Sequence, residues 1–368
     1  MSRMLRRYLE AQADQVEAVL VAHRVPGRIT GGTIGPRLIR FVLDPAPQTR
    51  LADVRALAED LAIALKVDSL RIDRTHEGII LEFPNPEPRP VTLTTLWPEV
   101  KPLPPATALL GLTDDGAPLL ARLSSLEVAH VLVAGTQGAG KTALLRTLAV
   151  SLALSNHPDN LRLLCIDLQG RAFRALTGLP HLVRQPVVTG IEAIEALQSL
   201  TRLMEVRLRG QEHQPRTVVL IDEAADLALI EGRVSAESLL VRLAQRGHEA
   251  GIHLVVATRR PSAAVLSAVL RANFPLRLVG KLISAEDARV AAGRGQTDAH
   301  LLNGRGDFLA VGGSAAPIRF QIAYIGDQEA RQVLTQQQVA TLDAATVEPA
   351  PVPDWVAPAP AMAYAGGW

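Results

Sequence analysis

The chain has 368 residues, 48% hydrophobic and 20% charged, with a formal net charge of +1; this suits two or three domains of roughly 100–200 residues and leaves disorder to the ends. A lone cysteine, Cys165, excludes an internal disulfide and a cysteine-built metal site. No apolar run reaches the roughly 18–20 residues of a membrane helix, and the charged start Met1–Arg7 has no apolar segment behind it, so neither a span nor a secretion signal is expected and a cytoplasmic chain is.

Residues 5–22 have helical spacing, with Leu5, Leu9, Val16, Val19 and Leu20 on or near one face. Arg28–Thr33 and Leu38–Leu43 read as strands around a turn at Gly35-Pro36. Leu51–Leu65 returns to helix, and Ser69–Ile72 and Gly78–Phe83 to strands. This is a small α+β domain over residues 1–100, closed by Pro84–Pro90 and by Lys101–Pro105. Beyond it strands and helices alternate. Val128–Ala134, Leu161–Asp167, Val218–Asp222 and His253–Thr258 are strands; Lys141–Ser155, Ile191–Arg209 and Ala236–Ala250 are helices. The strands are unbroken Val/Leu/Ile runs, as suits strands covered on both faces, so residues 101–327 read as an α/β domain with a mostly parallel sheet. From about Gln328 the pattern fades, and residues 328–368 read as a flexible, Pro/Ala-rich tail. Between Arg259 and Arg319 nine Arg or Lys stand against four Asp or Glu. By itself that is a solvated surface; it gains weight only beside motifs that carry chemistry.

Gly135-Thr136-Gln137-Gly138-Ala139-Gly140-Lys141-Thr142 matches G-x-x-x-x-G-K-[ST], with an apolar strand before it and an amphipathic helix after. Glycines let backbone N–H groups turn inward around phosphate oxygens at a helix N-terminus, where the dipole favours anions. Lys141 would reach the β/γ phosphates of ATP, and the Thr142 hydroxyl would ligate Mg²⁺. The strand Thr217–Ile221 delivers Asp222 and Glu223 at its C-terminal end, the edge where open α/β sheets bind ligands. Asp222 would hold the Mg²⁺ shell and Glu223 would polarise the attacking water. Alone, the pair is a solvated helix start; downstream of a P-loop it reads as catalytic. Thr258 closes the next strand with a hydroxyl, either as a sensor of the γ-phosphate or simply as a strand end. These residues describe a RecA-like P-loop ATPase and leave its substrate open.

Further segments carry a resemblance. Ile221–Leu227, Gly251–Ser262, Arg271–Arg277, Gly304–Leu309, Gly178–Leu182 and Val187–Thr189 resemble, in order, motifs of the FtsK/SpoIIIE motors, and Gly35-Pro36, Arg40-Phe41 and Pro45–Pro47 resemble the small α domain that precedes that motor. The similarity spans roughly residues 10–325. It implies a homo-oligomeric, hexameric ring around double-stranded DNA that couples ATP hydrolysis to translocation, as in chromosome segregation. By position it implies DNA contacts at Arg260 and Arg289, with Lys281 and Arg294 compensating for Ala285, where the family carries a lysine. Backbone binding needs cations without base readout; a surface or subunit salt bridge is the alternative for each arginine.

The chain departs from the family in several places. Arg259 replaces a usual glutamine, and Leu168-Gln169 a usual Pro-Lys. His248 stands where the resemblance implies a trans-acting arginine finger, and neutral imidazole cannot replace guanidinium there; Arg242, Arg246 and Arg277 are candidates to take over. The resemblance does not include the membrane-spanning and winged-helix modules of full-length FtsK, so septum anchoring and sequence-oriented loading are not expected. Two alternatives stand beside a translocase: a coupling or secretion ATPase of the same superfamily, and a DNA-binding ring whose assembly ATP controls.

Overall fold

The structure, a computed structural model, describes residues 3–35, 38–68, 70–75, 78–86, 90–230, 235–259, 266–295, 297–313 and 315–344. The chain divides into two compact units, Met1–Val91 with Leu112–Ala117, and Thr92–Gly111 with Pro118–Trp368.

In the first unit, α1 (Arg3–Ala22) leads into β1 (Gly27–Ile34) and β2 (Leu38–Pro45). Then come α2 (Leu51–Ala56), α3 (Ala58–Leu65), β3 (Arg71–Thr75) and β4 (Gly78–Pro84). The strands pair antiparallel in the order β1-β2-β4-β3. Period-2 alternation turns Ile39, Phe41 and Leu43 of β2 inward. There they meet Leu9, Val16 and Leu20 of α1 and Leu61 and Leu65 of α3 in one core, with Phe41 and Phe83 edge to face at 5.3 Å. The single helix expected over Leu51–Leu65 is two. The Leu57 N–H bonds back to Val54 O at 3.1 Å, a tight turn that keeps Val54, Leu57, Leu61 and Leu65 all facing the core.

The second unit opens with α4 (Leu93–Val100), capped by the Thr92 hydroxyl accepting from the Thr95 N–H, and the hairpin β5 (Thr107–Thr113) and β6 (Pro118–Arg122). The α/β elements follow: β7 (Val131–Ala134), α5 (Lys141–Ser155), β8 (Leu161–Ile166), α6 (Gly190–Gly210), β9 (Arg216–Ile221), α7 (Ala224–Ala228), α8 (Ala236–Arg246) and β10 (Ile252–Thr258). After them come α9 (Ala268–Ala272), β11 (Leu276–Gly280), α10 (Ala285–Ala292), β12 (Asp307–Gly312), β13 (Ile318–Ile322) and α11 (Asp327–Ala344). The nine-stranded sheet runs β6-β5-β13-β12-β11-β7-β10-β9-β8. Its half from β11 to β8 is parallel and its strands are deeply buried, as the apolar runs require, whereas β12 pairs antiparallel with both β11 and β13. The sheet is therefore mixed, with the half that carries the site, β11 to β8, parallel.

Three further expectations are corrected, all in the second unit. The helix after the P-loop is not amphipathic: ten of its fifteen residues are buried. Its polar residues are bonded rather than solvated, Thr147 donating to Ala323 O (2.6 Å) and Ser151 accepting from the Leu109 N–H (2.7 Å). The helix expected over Ala236–Ala250 is α-helical to Arg246 and then tightens to a 3₁₀ turn at Gly247–Ala250. Of the expected tail, the described part to Ala344 lies in α11, anchored by Ala330 and Leu334, buried and four residues apart, and by Asp327, which pairs with Arg146 at 2.8 Å; residues 345–368 lie outside the described residues. Two apolar anchors in a glutamine-rich segment are too few to show as a stripe.

Candidate active site

Everything the sequence singles out for nucleotide chemistry sits at the C-terminal edge of the parallel strands. The P-loop follows β7, Asp222 and Glu223 follow β9, and Thr258 ends β10. Strand β10 lies between β7 and β9, so the P-loop and the carboxylates face each other across one intervening strand.

Gly138 and Gly140 adopt φ of +80° and +108°, which turns the loop around its own centre. Behind it, Gly304–Gly306 forms a brace. The Arg305 N–H donates to Gly138 O (3.0 Å) and the Gly306 N–H to Ala139 O (2.8 Å), while Thr136 gives its N–H and its hydroxyl to Lys281 O (2.8 and 3.1 Å). Thus Thr136 and Ala139 hold the loop from behind, while Gln137, Gly138, Gly140, Lys141 and Thr142 line a cavity of about 360 Å³. Gly135 donates its N–H to Thr258 O at 3.3 Å.

Lys141 is buried, and its Nζ donates to Gly135 O (2.8 Å) and Thr136 O (3.1 Å). Burial pushes the ammonium below the usual lysine range, against the pull of Glu223 and Asp222. Thr142 Oγ1 donates to Asp222 Oδ2 at 2.7 Å. Burial raises the Asp222 carboxyl, the Thr142 bond opposes that, and nearby Asp167 adds to it. A hydroxyl and a carboxylate, both hard oxygen donors, fit Mg²⁺, whose charge would reverse the upward push on Asp222.

Glu223 is buried in a left-handed conformation (φ 64°, ψ 81°). Its Oε1 accepts from Thr258 Oγ1 (3.2 Å) and the Arg259 N–H (3.1 Å), and its Oε2 from Arg259 Nε (2.9 Å). Asp167, Gln169, Arg171 and Arg259 also line the cavity, and the sequence reading assigned none of them a role. Asp167 shows the same signal as Asp222, a carboxylate at the end of a parallel strand. It is buried and accepts the N–H groups of Gln169 (2.9 Å) and Ala172 (2.7 Å), which fixes the following turn.

The residues implied for DNA are distributed differently. Arg260 lies outside the described residues. Lys281 is exposed, just after β11, and Arg289 projects from α10, its guanidinium bonded through Nε (3.0 Å) and Nη2 (2.6 Å) to Glu286. Arg294 is half-buried and donates to Ala315 O at 2.6 Å. Of the finger candidates, Arg277 is committed to the carbonyls of Phe274, Ala291 and Arg271, and Arg242 pairs with Glu205. Arg246 is exposed, 4.0 Å from Glu249. His248 is half-buried, its ring edge to face with His130 at 6.2 Å.

A P-loop between a parallel strand and a buried helix, opposite an Asp-Glu pair one strand removed, defines a P-loop ATPase domain of the additional-strand type. The FtsK/SpoIIIE family model matches residues 100–210 and 207–263, and the FtsK alpha domain model matches residues 2–85. The chain belongs to the FtsK/SpoIIIE family. It is 31% identical over 355 residues to a DNA translocase FtsK of Bacillus cereus, covering 88% of this chain and 44% of that one. With the DNA translocase FtsK of Sporosarcina ureae it shares 29% identity over 360 residues, 89% of this chain and 45% of the relative. The chain thus spans less than half the length of these curated relatives. Among solved structures, the pCW3 conjugation coupling protein TcpA has the same fold, with a TM-score of 0.61 at 18% identity over 89% of this chain and 99% of that one. The secretion ATPase EccC of Thermomonospora curvata gives 0.58 at 24%, over 73% of this chain and 36% of that one. Among the described residues no helix is long and apolar enough to cross a membrane.

Proposed function

We propose that the chain is the ATP-hydrolysing motor of a double-stranded DNA translocase, acting in the cytoplasm as a hexameric ring. The observation that carries this is the convergence of Lys141, the Thr142–Asp222 pair and buried Glu223 on one cavity, in a chain whose curated relatives are named DNA translocases. Lys141 would exchange its two loop carbonyls for phosphate oxygens. Thr142 and Asp222 would hold Mg²⁺, which when bound neutralises charge on the β and γ phosphates. Glu223 would take the proton of the attacking water, and Thr258 would keep Glu223 in register. Arg260, Lys281, Arg289 and Arg294 would meet the DNA backbone.

The test is ATP turnover with and without duplex DNA, in the chain as it stands and in Lys141→Ala. The proposal expects turnover that duplex DNA stimulates and that the substitution abolishes. Turnover indifferent to duplex DNA would remove DNA as the cargo and favour a secretion ATPase. The Arg259–Glu223 ion pair favours a second reading, a ring in which ATP mainly controls assembly; it expects nucleotide-dependent association with negligible turnover.

A further inference from the structure

We propose that Arg259 supplies the cation for the terminal phosphate from within the same subunit, and that it does so by leaving Glu223. The inference rests on the ATPase reading and names a residue that reading does not use.

A guanidinium at the transferring phosphoryl group offsets the charge that spreads over its oxygens. Position 248, where the resemblance implies that group, holds an imidazole packed on His130. Arg277 and Arg242 are held elsewhere. Arg259, by contrast, lines the same cavity as Lys141 and Thr142, and its charge is felt at Lys141. Its side chain is 48% exposed while that of Glu223 is 8% exposed, so the arginine is the partner able to swing.

The contact also blocks chemistry. Glu223 Oε1 is occupied by Thr258 and by the Arg259 N–H, and Oε2 by the guanidinium. With Oε1 accepting twice and one lone pair of Oε2 taken by the guanidinium, an attacking water would have to share Oε2 with a bound cation, so opening the Nε–Oε2 contact favours hydrolysis. A terminal phosphate entering the cavity is the competing anion, with more charge and more acceptor oxygens than the carboxylate. Moving the guanidinium from carboxylate to phosphate performs two tasks at once. It bares Oε2, and it places the cation where charge develops. Thr258 and the Arg259 N–H can meanwhile hold Oε1, so Glu223 keeps its position. The step then balances. The water oxygen bonds to the γ-phosphorus, the bond from that phosphorus to the bridging oxygen breaks with its electron pair left on ADP, and the water proton passes to Oε2 and on to solvent.

The experiment compares the unaltered chain with Arg259→Gln and Arg259→Lys. It measures single-turnover hydrolysis of Mg-ATP and the equilibrium affinities for ADP and for ATPγS. In Arg259→Gln, turnover should fall at least about 100-fold, since such a cation is worth roughly 10³–10⁵ in rate. ADP affinity should stay within about twofold and the preference for ATPγS over ADP should fall about tenfold; Arg259→Lys, a point charge without the fork, should lie between. Turnover in Arg259→Gln at or above that of the unaltered chain would overturn the proposal, because Arg259 would then only restrain Glu223. Recovery of turnover on mixing Arg259→Gln with Lys141→Ala subunits would overturn the same-subunit assignment. If the unaltered chain hydrolyses nothing, the ATPase reading falls by itself; the affinity ratio still decides on Arg259, and an unchanged ratio overturns it.

Discussion

Gly138 and Gly140 sit two residues apart in the same loop, both at positive φ, and alanine should have different effects at each. At Gly138 a Cβ meets nothing within 4 Å, so Gly138→Ala adds only the left-handed backbone penalty, about 1–2 kcal/mol. At Gly140 a Cβ would stand 2.8 Å from Gly306 N and 3.0 Å from Gly306 Cα, against backbone that cannot rotate away. Gly140→Ala therefore adds overpacking, about 1–3 kcal/mol, to the same backbone term. Pushing Gly306 back also threatens its bond to Ala139 O and that of Arg305 to Gly138 O, each worth about 1 kcal/mol. The total is about 2–5 kcal/mol for Gly140→Ala with both bonds kept and up to about 7 kcal/mol with both lost, against about 1–2 kcal/mol for Gly138→Ala. Urea unfolding without nucleotide, followed by circular dichroism, reads the difference as a shift in midpoint at constant slope. A loss of stability in Gly138→Ala equal to that in Gly140→Ala would refute the assignment of Gly304–Gly306 as the brace of the loop.

Glu223→Gln should keep ATP binding and lower single-turnover hydrolysis by about 10²–10⁴; undiminished hydrolysis would take the general base away from Glu223. Arg260→Ala and Arg289→Ala should each weaken binding to all duplexes alike and flatten its salt dependence by about one ion per lost contact, and Glu286→Gln should tighten it by releasing Arg289; salt titrations of DNA affinity decide. Burial pushes His130 down to about 3 and His253 to about 4, from the ordinary 6.5. The fold holds both neutral, so their contribution is complete above pH 6.5 and is lost as pH falls towards 4, by roughly 2 kcal/mol at pH 5 for His130 alone. Unfolding midpoints at pH 7.5 and pH 5 measure this, and His130→Asn should shrink the difference. Light scattering with ATPγS and duplex DNA should show a closed, six-membered assembly, and His248→Arg should add little to turnover; a strict monomer under those conditions removes the ring.

The P-loop and the Asp-Glu pair were legible because their chemistry is written in contiguous residues at a strand end. The parallel strands were legible because burial on both faces demands apolar runs, as in Leu163–Ile166 and Leu254–Ala257. The hairpin β5–β6 and helix α4 were not, since β5 is buried over its first five residues while β6 alternates, and α4 is only eight residues long with a proline inside. Arg259 was legible as a departure from the family but not as a partner of Glu223, because that contact joins residues 36 apart in sequence. The brace at Gly304–Gly306 was likewise legible as a motif without a purpose; its partners lie more than 160 residues earlier in the chain.

The carbonyl of Lys281 receives both the N–H and the hydroxyl of Thr136. Fuel and cargo sites in a motor are usually imagined as linked through a train of side chains and helices. Here the loop proposed to grip ATP and the residue proposed to touch DNA share a single peptide group. A tightening of the loop around a phosphate pulls on that carbonyl directly, and the main chain of Lys281 has to follow. That link is one amino acid long: a substitution of the Lys281 side chain would remove the proposed DNA contact and leave the carbonyl's bonds to Thr136 in place.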